Sequence, residues 1–242
     1  ICYAVAYIDR ANVSFAKLTM ARDLGFDEEI FGTGFGIFFL GYVLLEVPGA
    51  LIVERWSARK WISRIMISWG LVAGLTALVK TPVQFYGVRF LLGLAEAGFF
   101  PGAIVYLTHW FPARDRARAL ALLIIAAPIA QVVSQRVSVP MLRFGTTELV
   151  NGVAVTTPPL WGLHGWQIVY IVWAIPAVIL GLVVLLKLTD RPAQARWLTE
   201  EERTALEDTL ARERASQGAV PHLRFSQALR NPAILLLALA NF

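Results

Sequence analysis

Five charged side chains stand within runs otherwise apolar enough to cross a lipid bilayer: Asp9, Arg10, Glu46, Arg89 and Glu96. A charge at mid-bilayer costs about 2.5–3.5 kcal/mol on insertion scales and more in simulations, so such residues persist where they handle ions, protons or ligands, or pair with one another. Their spacing groups them. Tyr3, Tyr7, Arg10, Ser14 and Lys17 follow at steps of 4, 3, 4 and 3, which is one stripe of an α-helix. Tyr86, Arg89, Gly93 and Glu96 form a second stripe, Tyr42, Glu46 and Gly49 a third, and Gln131, Gln135 and Ser138 a fourth. Four polar seams turned inward describe a water-filled cavity in a helix bundle. There a guanidinium can hold an anionic group by paired hydrogen bonds, and a buried carboxyl can load or release a proton as its surroundings change. Plainer readings stay open. Arg89 with Asp9 or Glu96 would also make a purely structural ion pair. Glu46, close to Pro48, suits a structural role, and Lys17 is long enough to snorkel to the outer surface.

The elements that must position these residues are membrane spans. The chain has 242 residues, 57% hydrophobic and 16% charged, with a mean hydropathy of +0.60. A soluble domain averages about 45–50% apolar and about 25% charged residues. Runs of about 20 apolar residues suffice to cross the hydrocarbon core. They place spans at about 1–17, 32–53, 61–79, 83–107, 119–142 and 166–187, with a truncated one from about 233. Trp56, Trp61, Trp110 and Trp166 fall at span ends, where tryptophans form interfacial belts or pack. The connections after the second and fourth spans carry seven basic residues (Arg55, Arg59, Lys60, Arg64, Arg114, Arg116, Arg118). The opposite connections carry four (Lys17, Arg22, Lys80, Arg143), so the seven-residue side is expected to be cytoplasmic. Residues 188–232 change character: seven acids and seven arginines, with a capping-box pattern from Thr199 to Glu202, make a solvated surface helix linking two bundles. The organisation expected is a six-helix bundle over 1–187, a cytoplasmic central loop over 188–232 and the start of a seventh span over 233–242. A start inside an apolar span, without Met, and a stop inside another lead us to expect a fragment of a longer protein.

Other chemistries find little support. Cys2 is alone, so there is no internal disulfide or cysteine metal framework. His109 and His164 lie at loop edges without paired ligands, and no metal or other cofactor is expected. The net charge of +5 is distributed between spans, not along a nucleic-acid-binding face. No H-E-x-x-H, G-x-S-x-G or phosphate-loop pattern is present, so an enzyme is not expected. The glycines of Gly32-Thr33-Gly34-Phe35-Gly36 are better explained by close helix packing than by phosphate binding.

The motifs Tyr7-Ile8-Asp9-Arg10-Ala11-Asn12-Val13-Ser14, Arg89-Phe90-Leu91-Leu92-Gly93-Leu94-Ala95-Glu96-Ala97-Gly98-Phe99-Phe100-Pro101-Gly102, Trp110-Phe111-Pro112 and Asp190-Arg191-Pro192 resemble signatures of the anion:cation symporter family of the major facilitator superfamily. The likeness runs the length of the chain and is nearest to tartrate- and phthalate-permease-like members. The resemblance implies an all-α membrane protein: the six-helix N-terminal bundle of a twelve-helix transporter, with the central loop and the start of helix seven. It implies that Arg10 clamps a substrate carboxylate with Tyr7 and Tyr42 lining the site; Gln131, from the fourth stripe, is counted with them. Asp9 and Glu96 would carry protons with Arg89 as their partner. The chain departs from its relatives at Val133-Ser134-Gln135-Arg136-Val137-Ser138, where they show a glycine-rich stretch, and at Trp173, where they often carry Glu.

The function expected is proton-coupled symport of a small organic anion, such as a dicarboxylate, sugar acid or aromatic carboxylate, across a bacterial inner (plasma) membrane. A uniporter or antiporter on the same fold is the alternative, and a channel is one from another class. The partners expected are the carboxylate, protons, the lipid bilayer and the missing C-terminal half, with no nucleic acid. The orientation is tested by thiol labelling. In a Cys2→Ser background, an Arg116→Cys thiol should be reached only from the cytoplasmic side; labelling by an impermeant reagent from outside would reverse the topology.

Overall fold

The computed structural model describes residues 1–150 and 153–216. The expected seventh span, 233–242, and the later part of the central loop lie outside the described residues. Two compact units are distinguished, Ile1–Leu198 and Thr199–Phe242. The first holds the helices α1 (Cys2–Leu24), α2 (Glu28–Arg55), α3 (Ala58–Leu75), α4 (Pro82–Glu96), α5 (Phe99–Trp110), α6 (Ala113–Met141) and α7 (Gly165–Lys187). In the second, α8 (Glu200–Ser216) opens with the expected capping box. Thr199 donates from its backbone N–H and its hydroxyl to Glu202 Oε2, both at 3.0 Å, and Glu202 N–H returns a bond to Thr199 Oγ1 at 3.2 Å. Those donors hold the Glu202 carboxyl below its ordinary value.

Helix starts follow local chemistry. Asp27 accepts from Ile30 N–H, Ser57 from Lys60 N–H and Thr81 from Gln84 N–H, each giving a partner to a first-turn donor that the helix leaves unpaired. Among the described residues, five helical segments are long and apolar enough to cross a membrane: Glu28–Glu46, Ala58–Leu78, Pro82–Trp110, Ala113–Met141 and Gly165–Lys187. Helix α1, at 23 residues, matches them in length but not in composition, because Asp9, Arg10 and Lys17 interrupt it. It relies on its neighbours to shelter those charges.

The fourth span is not continuous. It breaks between α4 and α5 at Ala97–Gly98, and Pro101 explains where. Proline has no N–H to give the carbonyl four residues back, that of Ala97, and its ring would collide with it. The chain turns instead through Gly98 at φ +80°, a conformation open to a residue without a Cβ. Trp61 Nε1 donates to the Gly98 carbonyl at 3.4 Å, so the interrupted backbone is met by protein and not by lipid.

Two tight seams hold the bundle. Along α3 and α7, Gly70 faces Ala174, Ala177 and Val178, and Ser63 Oγ donates to the Gly181 carbonyl at 2.7 Å. Along α2 and α4 the backbones nearly touch: a Cβ on Gly93 would lie 2.1 Å from the Phe38 carbonyl oxygen. Gly93 therefore serves the contact with α2. Of the glycine trio at the head of α2, only Gly34 is used in packing, against the Phe85 ring, while Gly32 and Gly36 face open space.

The loop between α6 and α7 holds one surprise for an otherwise helical chain. Strands β1 (Thr147–Val150) and β2 (Val153–Thr156) pair antiparallel in register Thr147 to Thr156 and Val150 to Val153. At that same end, Asp23 accepts from Trp166 Nε1 at 2.8 Å and pairs with His164 Nδ1 at 3.3 Å, tying the end of α1 to the start of α7. Trp166 and Trp61 are thus buried packing residues and not belt residues. Lys17 does not simply snorkel; it pairs with Glu28 at the head of α2.

The α2–α4 seam predicts opposite outcomes for one chemical change. Gly87→Ala, with nothing within 4 Å of the new methyl, should be neutral or raise stability by up to about 1 kcal/mol. Gly93→Ala should lower it by about 1–3 kcal/mol because backbone must move. Thermal unfolding of the full-length protein in detergent compares the two.

Candidate functional site

Asp9 and Arg10 are neighbours in sequence, so on a helix their side chains leave about 100° apart. That angle divides them between two environments. Asp9 points into the bundle and is 5% exposed, whereas the Arg10 side chain is 43% exposed on the open face of α1. Tyr7 lies on that face too, half-buried, with its ring 5.7 Å from that of Tyr3.

Arg10 meets Glu96. Its Nε and Nη2 both reach Glu96 Oε1, at 2.7 and 2.6 Å. Both donors thus fall on one oxygen, leaving Glu96 Oε2 buried and without a hydrogen-bond partner among the described residues. Tyr42 completes the group from α2. The guanidinium carbon sits 5.5 Å from its ring centroid, and its hydroxyl is within electrostatic reach of both Arg10 and Glu46. Arg10, Glu96, Tyr42 and Glu46 therefore form one connected cluster, set where α4 stops at Glu96.

Asp9 belongs to a second, enclosed cluster. Trp69 Nε1, from α3, donates to its Oδ2 at 3.2 Å. Arg89 lies near enough to act on Asp9 through charge, but its guanidinium is packed against rings, 5.0 Å from the centroids of Phe35 and Phe38 and 6.0 Å from Phe85. Arg89 is 4% exposed, and its Nε has no hydrogen-bond partner among the described residues. Tyr170 of α7, also buried, is a further electrostatic neighbour of Asp9 and Arg89.

What fixes the roll of α1 is Asn12, three residues after Asp9. Its side chain is fully buried, and Oδ1 accepts from Ser134 Oγ and Ser138 Oγ, both at 2.7 Å. Trp173 Nε1 donates in turn to Ser138 Oγ at 2.9 Å. Three helices, α1, α6 and α7, are joined through the Ser138 hydroxyl, which donates to Asn12 and accepts from Trp173. The bulky stretch Val133–Ser138 accommodates this because Ser134 and Ser138, one turn apart, face α1 while Val133, Gln135, Arg136 and Val137 turn outward. Gln131 is exposed, and among the described residues no hydrogen bond joins it to Arg10 or Tyr42.

Comparison with known proteins bears on what such a bundle is. Residues 1–242, the whole chain, match the sequence pattern described as Major Facilitator Superfamily. The chain belongs to that superfamily. A protein named "Putative tartrate transporter" from Agrobacterium vitis is 48% identical over 240 residues, which is 99% of this chain and 50% of that one. The "Quinolone resistance transporter" of Acinetobacter baumannii is 39% identical over 99% of this chain and 52% of its own length. Among solved structures, an inward-facing, unoccupied bacterial homologue of the lysosomal transporter Spinster superposes with a TM-score of 0.67 at 20% identity, covering 83% of this chain and 44% of that one. The inward-open xylose transporter XylE from E. coli gives 0.65 at 16%, covering 92% and 55%. These two show the shared fold. The chain spans about half the length of the curated relatives it matches.

As a major facilitator bundle, the chain is a multi-pass membrane protein, and the motif likeness read from the sequence agrees with its transporter relatives. The geometry also redraws connections inside the bundle. Glu96 pairs with Arg10, not with Arg89, because α4 brings Glu96 to the open face of α1 and holds Arg89 behind it among aromatic rings. Trp69, Tyr170, Asn12, Ser134 and Trp173 join the picture from outside the four polar stripes, apart from Ser138, which was in one. A signal for the tryptophans was available: Trp69 and Trp173 stand mid-span, far from an interface, where an indole N–H needs a buried acceptor.

The Asn12 clasp predicts a measurable coupling. Hydrogen bonds between membrane helices average about 0.6 kcal/mol and reach about 1.7 kcal/mol. Trp173→Phe and Ser138→Ala should therefore each destabilise, and the double variant should cost less than their sum by about 0.6 kcal/mol. Strict additivity in thermal unfolding would show that the bond carries nothing.

Proposed function

We propose that this chain is the N-terminal half of a proton-coupled symporter for a small organic anion in a bacterial inner membrane. The Arg10–Glu96 pair is the observation that carries this reading. With Glu96 ionised, the guanidinium is neutralised and its Nε and Nη2 donors are taken up. A proton on Glu96 removes the opposing charge and frees Arg10, on the open face, to bind a carboxylate. Anion and proton then enter as partners, because each makes room for the other. Tyr7 and Tyr42 would line the site beside Arg10, with Gln131 as an outlying member, and the missing half would close the cavity from the other side.

Asp9, in its enclosed cluster, is the second proton carrier in this proposal. Moving one charge through 100 mV is worth about 2.3 kcal/mol, so a membrane potential drives anion entry only when protons outnumber the substrate's negative charges. The link after α7 and helix α8 would lie on the cytoplasmic side. A small dicarboxylate fits the tartrate in one relative's name, and tartrate is the first probe to use. A uniporter or antiporter on this fold would not need a carboxylate set against the binding arginine.

Full-length protein in proteoliposomes, assayed with labelled tartrate and with competing sugar acids and aromatic carboxylates, tests the proposal. Arg10→Lys should raise KM at least about tenfold, since an ammonium cannot copy the guanidinium fork. Glu96→Gln should abolish accumulation driven by an imposed pH gradient while substrate exchange persists. A Glu96→Gln protein that still concentrates substrate under that gradient would remove Glu96 from coupling.

A further inference from the structure

We infer that Trp69 is a positioning residue for the proton on Asp9, holding its carboxyl inside the bundle through a single indole hydrogen bond. The inference rests on the reading of Asp9 as a proton carrier. Among the described residues, the one hydrogen-bond donor to the Asp9 side chain is Trp69 Nε1, at 3.2 Å. The charged and titratable neighbours, Arg10 of the same helix, Arg89 and Glu96 of α4 and Tyr170 of α7, act on Asp9 or are acted on by it through space. Each of the two arginines is otherwise engaged, Arg10 with Glu96 and Arg89 with Phe35, Phe38 and Phe85. A carboxyl in this position could turn toward either cation. The indole decides which way it faces.

Trp69 is itself held firmly. It is 1% exposed on the buried face of α3, together with Ile62, Ile65, Met66 and Ala73. The next residue, Gly70, packs directly on α7 at Ala174 and Ala177. Below it Ser63 bonds to the Gly181 carbonyl. The indole N–H is therefore fixed by the α3–α7 seam, and through it that seam fixes the orientation of a group on α1. A Trp69 that merely filled space would still need an acceptor for its buried N–H, so the contact alone fits both roles.

The two roles separate by substitution. Trp69→Phe keeps a ring and removes the donor; Trp69→Gln keeps a donor and removes the ring. Infrared difference spectra of the full-length protein in liposomes, recorded across a pH titration, report protonated carboxyls, and the Asp9 band is identified by its loss in Asp9→Asn. Positioning predicts that Trp69→Phe moves the titration midpoint of that band by about half a pH unit or more, the size of one net hydrogen bond, and that Trp69→Gln lies nearer the wild type. An unmoved midpoint in Trp69→Phe, or an equal displacement in both variants, would reduce Trp69 to packing. If Asp9→Asn removes no titrating band, Asp9 carries no exchangeable proton and its proposed role falls, taking this inference with it. Should the variants fail to fold, the unaltered protein still answers. At least one indole N–H resonance of the full-length protein should move as the Asp9 carboxyl titrates and stop moving in Asp9→Asn; if none does, the proposal is overturned.

Discussion

Glu96 and Arg10 meet at the rim of a helix bundle that has no water to offer either of them from the lipid side, and much of the architecture answers to that contact. An unpaired carboxylate at this depth would cost several kcal/mol. The pair relieves that cost only if α4 delivers Glu96 beside α1, and α4 gets there by pressing Gly93 against the backbone of α2. The span then has to be interrupted, which Pro101 and Gly98 accomplish at Ala97–Gly98, directly after Glu96. Tyr42, from α2, arrives under Arg10 by the same seam that admits α4. Loosening any of these contacts would expose a charge, so they stand or fall as a group.

Much of this could be read from the residues. Helical spacing put Arg89 and Glu96 on one stripe of α4 and Tyr7 and Arg10 on one stripe of α1, and apolar runs marked α2, α3 and α7 closely while falling short of the end of α1 at Leu24 and the start of α6 at Ala113. Periodicity describes a single helix, however, and says nothing of which helix faces which. That is why Glu96 could be assigned to a polar seam while its partner across the bundle could not be named. The same limit hid Asn12, whose amide oxygen accepts from serines more than 120 positions away, while its Nδ2 is buried without a partner among the described residues. The hairpin after α6 was legible and overlooked. Asn151-Gly152 stands between two tetrads rich in Val, Thr and Leu, a strong local signal for two paired strands.

Substitutions that look damaging in sequence can be absorbed by geometry. Val133–Ser138 carries larger residues where the family likeness implies a glycine-rich stretch, yet the α1–α6 approach is kept by two serines one turn apart, and Trp173 supplies a donor to one of them. The polar clasp takes over the work that glycines do by allowing backbones to close up. It adds direction, since hydrogen bonds specify rotation where van der Waals contact permits some sliding.

That directional grip has a mechanical corollary. A helix free to spin on its axis could expose Asp9 and Arg10 to the same compartment by turning about a quarter revolution. Asn12, bonded to two serines of α6, makes that turn break both hydrogen bonds. The clasp thus favours α1 moving together with α6 and α7 over turning alone. Within the bundle the carboxyl and the guanidinium leave α1 about a quarter turn apart, one toward the interior and one toward the open face.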